Sequence, residues 1–314
     1  MISKKNKIIF SDFVEAKKLS FNYIDIGARG DISSPWLELE NFTLIVGFEP
    51  DTREAKRLND KFGNRKYFDM ALWSEKATKA VYINKTESTS SMFKPNSNFI
   101  TDFEPPHWEG RIVETELMVQ CDTLDDILYE NSIVPDFIKI DTQGAELDIL
   151  KGAKRLLCDY APLVTCETWC AEVYKDAPLM HEIIGYMDAL GYQIFDMELA
   201  AAWRHGASRN KSNSKPKSIG YEVLFVKTKN LEYLSKDHEY FLKFILLLEL
   251  YGYRDYAIYL LSNEDGAVFS DLKNRLIENE KKEMQFFSRI FNKAINAINK
   301  VTNLKYRIHP NLKY

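Results

Sequence analysis

Between Phe21 and Val226 the chain alternates short apolar runs with stretches of helical character. The runs are rich in Ile, Val, Phe and Tyr, as strands are, and turn residues or helix patterns separate them. Such alternation is typical of an α/β domain whose mostly parallel sheet is covered by helices on both faces. The predicted strands are Phe21–Ile26, Leu44–Phe48, Tyr67–Phe68, Leu117–Gln120, Phe137–Ile140, Leu163–Cys166, Tyr192–Phe195 and Tyr221–Val226. A polar stretch around Pro216 separates the last two, which are predicted to form a terminal antiparallel hairpin.

The segment from Ala77 to Gly110 interrupts this alternation. It carries the polar run Ser88–Ser91 together with Pro95, Pro105 and Pro106, a composition typical of turns. We therefore predict a long surface excursion that acts as an active-site flap or a substrate loop. The patterns together predict a Rossmann-like domain over residues 1–228, with a loop insertion around 77–116.

Residues 229–314 are predicted to form a helical C-terminal extension, with helices over Tyr240–Tyr251, Asp255–Leu261 and from Phe269 towards Leu304. After Glu283 every charged side chain is Lys or Arg. An apolar stripe at helical spacing continues through the same stretch, formed by Phe287, Ile290, Phe291, Ala294, Ile298 and Val301. Two interpretations stay open: this helix packs on its own body or on a second copy of the chain, or it lies on a membrane surface.

Composition and charge limit the kinds of partner that the protein is expected to bind. The formal net charge of -4 gives no global basic field for nucleic acid, which is therefore not expected as a partner. Four cysteines without paired spacing fit neither a disulfide framework nor a zinc site and are expected to be reduced thiols. The longest apolar run, Phe244–Leu248, is too short to cross a bilayer. We expect a cytoplasmic protein, with contact at the inner face of the membrane if the last helix provides it.

Two strand ends describe a nucleoside pocket. The strand Tyr23–Ile26 ends in an acid and a small-residue turn, Gly27-Ala28-Arg29-Gly30, where a ligand can approach the backbone closely. A second strand ends in Phe48-Glu49-Pro50-Asp51, and a carboxylate at such a place can accept the hydroxyl protons of a ribose. The chain lacks both the full G-x-G-x-x-G fingerprint and the triphosphate loop G-x-x-x-x-G-K-[ST]. The sequence therefore favours an adenosine ligand without phosphates, such as S-adenosylmethionine, over a nicotinamide cofactor.

A third strand delivers Asp141 to its C-terminal end, in the stretch Asp136 to Glu146 that continues through Leu150-Lys151-Gly152-Ala153. With this stretch the chain resembles the FkbM family of methyltransferases. Further ordered motifs carry the resemblance from about Tyr23 to Val226, namely Asp25 to Ala28, Phe48 to Pro50, Ala71-Leu72, Thr123 to Asp125 and Leu224 to Val226.

The resemblance implies a class I methyltransferase fold and an S-adenosylmethionine pocket. In that pocket Asp25, Gly27, Ala28 and Gly30 surround the methionine end, Glu49 and Pro50 lie at the ribose, Asp69 and Met70 lie beside the adenine, and Asp141 also faces the cofactor. Many members have glycine where this chain has Asp31, so the course of the first loop is left open.

The predicted catalytic residues lie at the ends of core strands. Asp141 and Glu167 follow successive core strands, so their carboxylates are expected to face each other and to hold Mg²⁺ or Mn²⁺, which would acidify an acceptor hydroxyl. Gln143 and Glu146 are expected to complete or support that site. Equally, Asp141 can orient the cofactor while Glu146 caps the following helix. A further alternative places His205, in the polar hairpin loop, as the general base.

The family resemblance implies a hydroxyl acceptor. The leading hypothesis is an O-methyltransferase that acts on a sugar of a bacterial glycan or glycolipid. The alternatives are a polyketide-like acceptor and a non-catalytic methyltransferase-like module that docks an assembly through its helical tail. Homo-oligomerisation through the tail also stays open.

Overall fold

A computed structural model of the chain describes residues 12–302, except residues 64, 208–212, 230, 232 and 233. The described residues divide into two compact units, 12–247 and 248–302. The strands are β1 (Phe21–Ile26), β2 (Thr43–Phe48), β3 (Arg65–Phe68), β4 (Ala71–Leu72), β5 (Ala77–Asn84), β6 (Val113–Asp122), β7 (Phe137–Ile140), β8 (Leu163–Trp169), β9 (Tyr192–Trp203) and β10 (Lys217–Lys227). The helices are α1 (12–17), α2 (Thr52–Lys61), α3 (Ser97–Ile100), α4 (Pro105–Glu109), α5 (Leu124–Glu130), α6 (Glu146–Lys151), α7 (Lys154–Asp159), α8 (Met180–Ala189), α9 (His238–Leu250), α10 (Arg254–Leu261) and α11 (Ala267–Thr302).

Within the described residues, seven strands form one sheet in the order β3-β2-β1-β7-β8-β10-β9. The pairs from β3 to β8 are parallel, and β10 runs antiparallel to both β8 and β9. Strands β1 and β7 are buried along almost their whole length, as strands covered on both faces are. The predicted mostly parallel sheet with a terminal antiparallel hairpin is confirmed.

The order of the strands brings the functional ends together. Because β1 lies between β2 and β7, Asp25 aligns with Gly47 on one side and with Lys139 on the other. The residues that follow β1, β2, β7 and β8 therefore emerge at one edge of the sheet. In open α/β sheets the carboxyl edge is where ligands bind.

The expected loop over 77–116 is instead largely ordered. Among the described residues, β4, β6 and β5 form a small separate sheet, with β5 antiparallel to β6 over most of its length. The serine- and proline-rich composition belongs to the connection between these strands, which holds α3 and α4. Strand β5 contains the apolar run Ala80–Ile83, but the Ser- and Pro-rich residues that follow it gave the whole segment the composition of a loop.

The unit formed by 248–302 contains the end of α9, α10 and α11. Arg254 pairs with the buried Glu249 at 2.5 Å and with Glu283 at 2.9 Å. The division between the units falls inside α9, between Leu247 and Leu248, whereas the sequence pattern placed it after residue 228. The predicted end of the last helix near Leu304 lies outside the described residues, as do the side chains of Ile298 and Val301. Among the described helices, none has both the length and the apolar character needed to span a bilayer.

Candidate active site

A cavity of about 680 Å³ opens at the edge where β1, β2 and β7 end, a size common for small-molecule sites. Five residues of the predicted cofactor pocket line it: Gly27, Glu49, Pro50, Met70 and Asp141. The small sheet supplies the facing wall, with Val81 and Ile83 from β5 and Leu117 and Val119 from β6. Asp25, Ala28, Gly30 and Asp69 do not line it, and Asp69 is exposed to solvent.

The turn after β1 depends on glycine. Gly27 has φ of +79°, and a Cβ atom there would lie 2.0 Å from the carbonyl oxygen of Asp141. The amides of Gly27 and Ala28 both donate to the carbonyl of Phe48, at 3.1 Å. This turn is therefore fixed against the ends of β2 and β7, which explains why the small-residue sequence is needed.

The loop after this turn is held by charged side chains. The amide of Gly30 donates to Glu54 Oε1 at 3.2 Å. Asp31 accepts from Arg65 Nη1 at 2.8 Å and from Lys61 Nζ at 3.3 Å. Asp31 thus ties the loop to β3 and α2 through ion pairs.

Lys139 connects Asp25, which does not line the cavity, to the groups that do. Lys139 Nζ lies 3.4 Å from Asp25 Oδ1 and 3.6 Å from Asp141 Oδ2, and Lys139 itself lines the cavity. Burial raises the pKa of Asp25, against the opposing effect of Lys139. Burial disfavours the charge of Lys139, but the attraction of Asp25 and Asp141 outweighs it and raises the pKa of the ammonium group. Lys139 is therefore a charged link between two strand ends, a role that its sequence position did not reveal.

Glu49 is held at the end of β2 with its carboxylate facing the cavity. It is 5% exposed, and its Oε1 accepts from the amide of Asp51 at 2.9 Å. Burial raises its pKa, which the backbone bond from Asp51 and the charge of Arg29 oppose. Arg29 also lines the cavity and pairs with Asp51 and Glu87. Sequence reasoning missed Arg29, because its partner Glu87 lies in the segment expected to be an irregular loop.

Gln143 connects the predicted catalytic carboxyls. Its Nε2 donates to Glu167 Oε2 at 2.5 Å and lies 3.2 Å from Asp141 Oδ1. The hydroxyl of Tyr174 lies 2.9 Å from Gln143 Oε1, and Ser91 Oγ donates to the Gln143 carbonyl at 2.7 Å. Gln143 has φ of +59°, a conformation that costs free energy in a residue other than glycine. The surrounding hydrogen bonds hold this residue in a strained position between Asp141 and Glu167.

The environment of Glu167 favours its neutral form. Burial first, and then the nearby charges of Asp141 and Glu146, raise its pKa to about 9. Glu167 therefore carries a proton at neutral pH.

Glu146 holds the loop that precedes α6. Its carboxylate accepts from the amides of Thr142 at 2.9 Å and Gly144 at 2.8 Å. Burial raises its pKa to about 7, although these backbone bonds oppose the shift. The side chain does not cap α6 from the N-cap position, which Ala145 occupies without a side-chain bond. Glu146 thus supports the loop that carries Gln143.

A model of the methyltransferase FkbM domain matches residues 25–194, more than half of the chain. The chain belongs to the FkbM methyltransferase family. The matched residues hold the ends of β1, β2, β7 and β8, and the family resemblance in the sequence is confirmed.

Solved structures give weaker similarities. The FkbM methyltransferase of Methylobacillus flagellatus KT is 16% identical with a TM-score of 0.36, over 65% of this chain and 43% of that one. The chain therefore matches less than half the length of that protein. Magnesium protoporphyrin IX methyltransferase of Synechocystis PCC 6803, solved with bound SAM, is 9% identical with a TM-score of 0.36, over 72% of this chain and 79% of that one. No curated protein matches the chain.

The donor set of this FkbM domain does not suit the expected metal site. Among the residues that the structure describes, no group of three or more His, Cys, Asp or Glu side chains is placed to hold a metal ion. The amide group of Gln143 lies between Asp141 and Glu167 and donates its N–H to Glu167. A cation needs oxygen ligands at that place, whereas the N–H of the Gln143 amide occupies it. The geometry favours the alternative in which hydrogen bonds position these groups.

His205 does not line the cavity. Its Nδ1 donates to the carbonyl of Asp102 at 2.8 Å, and its ring stacks on Phe103 with centroids 4.4 Å apart. The hairpin loop is thus anchored against the segment around α3 and α4. In this arrangement His205 is an exposed residue of that contact outside the cavity, and its role as the base stays a prediction.

Proposed function

We propose that this FkbM family member transfers the methyl group of S-adenosylmethionine to a hydroxyl oxygen of a carbohydrate acceptor. One observation carries the proposal: a single cavity has the ribose-type carboxylate of Glu49 at the end of β2 and the Asp141–Gln143 pair at the end of β7. A bound cofactor that spans these strand ends presents its methyl group to the polar pair.

The cofactor is held by groups already fixed in the structure. Glu49 accepts the ribose hydroxyls, and its burial strengthens these hydrogen bonds. The backbone at Gly27 lies against the methionine end, and Met70 packs beside the adenine. Lys139, which neutralises Asp25 and lies beside Asp141, is available to pair with the cofactor carboxylate.

Methyl transfer then needs alignment and a proton acceptor. The acceptor oxygen attacks the methyl carbon in line with the sulfonium, so the C–O bond forms as the S–C bond breaks and S-adenosylhomocysteine leaves. Asp141 takes the hydroxyl proton. Gln143 and the neutral Glu167 hold Asp141 in place, and no step is routed through a metal ion.

The cavity wall favours an acceptor with an apolar part. Leu117, whose exposed fraction is 47%, faces the cavity beside the buried Val81, its partner across β5 and β6. Such an apolar wall suits the lipid or aromatic portion of a glycolipid better than a free glycan. The same wall supports the second candidate, a polyketide-like hydroxyl compound.

The test is methyl transfer from cofactor labelled with CD₃. The enzyme is incubated with alkyl glycosides, the corresponding free sugars, amino sugars and a phenolic polyketide analogue, and mass spectrometry locates the label. We expect the label on a glycoside hydroxyl oxygen, with alkyl glycosides preferred to free sugars. Label on nitrogen, or on the phenolic compound alone, contradicts the carbohydrate proposal. Cofactor binding without transfer to any compound of the panel supports the non-catalytic module.

The Asp141→Asn variant tests the chemical step. General-base catalysis contributes about 10²- to 10⁴-fold, so we expect a loss of that size in turnover. The affinity for S-adenosylhomocysteine should change by less than about threefold, because Glu49 and the β1 turn are untouched. A loss of affinity with turnover preserved at saturation would instead show that Asp141 orients the cofactor.

A further inference from the structure

The second half of α11 exposes an apolar stripe. Phe287, Ile290 and Phe291 are 65%, 48% and 50% exposed, and Met284 is 59% exposed. These residues and Ala294 recur at three- and four-residue spacing and so share one face of the helix. We call this face the α11 stripe. Four large apolar side chains exposed to solvent on one helix face mark an interaction surface.

The same face is buried earlier in the helix. Phe269, Leu272 and Leu276 continue the spacing of the α11 stripe towards the N-terminus, and each is no more than 2% exposed. The change from buried to exposed side chains on this face occurs around Glu283, which pairs with Arg254 of α10. The first half of α11 is therefore a packed helix of its unit, and the described second half presents the continuing apolar face to solvent.

The charged side chains that follow Glu283 all have one sign. Arg289 and Lys293 are exposed and four residues apart, and at 100° per residue they lie on the side of the helix opposite the α11 stripe. After Glu283 the sequence contains no Asp or Glu. An apolar face opposite a polar face that is charged only by Lys and Arg is typical of a helix that lies on an anionic lipid surface, where the Phe rings enter the acyl boundary and the long cationic side chains reach the headgroups.

A second copy of the chain is a poorer occupant. Two α11 stripes packed face to face would have no Asp or Glu after Glu283 with which to form the interhelical ion pairs that set partner choice in coiled coils. We propose that the second half of α11 docks this protein on an anionic membrane surface. This proposal does not depend on the identity of the acceptor.

Vesicle co-sedimentation of the full chain tests the proposal. We expect binding to phosphatidylcholine vesicles that contain phosphatidylglycerol to be about 10- to 100-fold tighter than to phosphatidylcholine alone, and to weaken as salt rises. Replacing Phe287 and Phe291 together by Gln should weaken binding by at least about tenfold, because Gln retains helix propensity and removes the apolar face. The Arg289→Gln, Lys293→Gln double variant should lose most of the preference for anionic vesicles.

Tyr259→Gln is the matched control, because Tyr259 is an exposed aromatic residue of α10 outside the stripe, 62% exposed. Circular dichroism verifies that each variant keeps its helix content. Equal binding by the Phe287, Phe291 variant and the wild type, or no binding to anionic vesicles, overturns the proposal. Sedimentation equilibrium tests for a second copy of the chain. If the protein does not bind vesicles but forms concentration-dependent dimers that the Phe substitutions abolish, the stripe is a subunit interface.

Discussion

Gln143 shows how the candidate site is organised at the scale of single residues. Its left-handed backbone and its side chain are held by Ser91, Tyr174 and Glu167, which lie far from it in sequence. A strained conformation persists only where the surroundings fix it, and such residues cluster at functional sites. The amide thereby sets the distance between Asp141 and Glu167, and through it the orientation of the base proposed for methyl transfer.

The carboxylate of Glu49 should contribute strongly to cofactor affinity. Hydrogen bonds to a charged group are worth about 1.5–3 kcal/mol, so Glu49→Gln should weaken the binding of S-adenosylhomocysteine by about 10- to 100-fold. Isothermal titration calorimetry measures the effect. Glu75→Gln is the control, because Glu75 is exposed and does not line the cavity. If both variants bind like the wild type, the ribose lies elsewhere.

Glu167 should make the protein less stable as pH rises. Its folded pKa is raised to about 9 from an ordinary value of 4.5. Between these values the folded chain keeps a proton that the unfolded chain releases. The stability that this group provides is therefore complete below about pH 4.5 and is lost as pH approaches about 9.

The measurement is the free energy of unfolding in urea, for the wild type and for Glu167→Gln, from pH 5 to pH 9. We expect the difference, wild type minus variant, to fall steadily with pH, because Gln cannot ionise. Because Glu146 interacts with Glu167, the difference reports the ionisation of the coupled groups and not of Glu167 alone. A pH-independent difference would show that Glu167 is ionised in the folded protein.

At the scale of strands and helices, the sequence correctly predicted those elements that a local pattern of apolar residues determines. The runs around Asp25, Glu49 and Asp141 are apolar and end in acids, and all three became strand ends of one sheet. Strand β5 was missed because the Ser- and Pro-rich residues after it gave its segment the composition of a loop, and its contribution to the apolar wall of the cavity was missed with it. The place of Gln143 beside Asp141 and Glu167 was predicted, but its contacts with Ser91 and Tyr174 were not, since these residues meet only in the folded chain. The pairing of Lys139 with Asp25 was not predictable either, since it forms only when β1 and β7 pair.

The turn after β1 should not tolerate a side chain at Gly27. In Gly27→Ala a Cβ would overlap the carbonyl oxygen of Asp141, and φ of +79° would add strain. We expect a loss of about 2–4 kcal/mol in the free energy of unfolding, together with weaker cofactor binding. Gly185→Ala in α8 is the matched control, because nothing lies within 4 Å of its added Cβ. The control should gain about 0.5–1 kcal/mol from helix propensity. Equal stability of the two variants would contradict the account of the turn.

At the scale of the whole molecule, the two units carry different properties. The cavity and all predicted cofactor residues lie within 12–247, and the cationic, apolar helix surface lies within 248–302. The net charge of -4 averages over this asymmetry and conceals it. Cofactor binding and membrane binding should therefore be separable by mutation, each measured with the other left intact.

Ligand-dependent unfolding tests the assignment of the cofactor on the intact chain. A ligand that binds only the folded state at about 100 times its Kd adds about 2.7 kcal/mol to the free energy of unfolding. For a unit of this size that corresponds to a rise in Tm of roughly 5–10 °C. We expect S-adenosylhomocysteine to produce this shift and NAD to produce none, because the β1 turn lacks the glycine fingerprint that holds a pyrophosphate. The Glu49→Gln variant should reach the same shift only at about 10- to 100-fold higher S-adenosylhomocysteine, since its Kd is weaker by that factor. A shift with NAD alone would assign the cavity to a nicotinamide cofactor and would remove the basis for methyl transfer by Asp141.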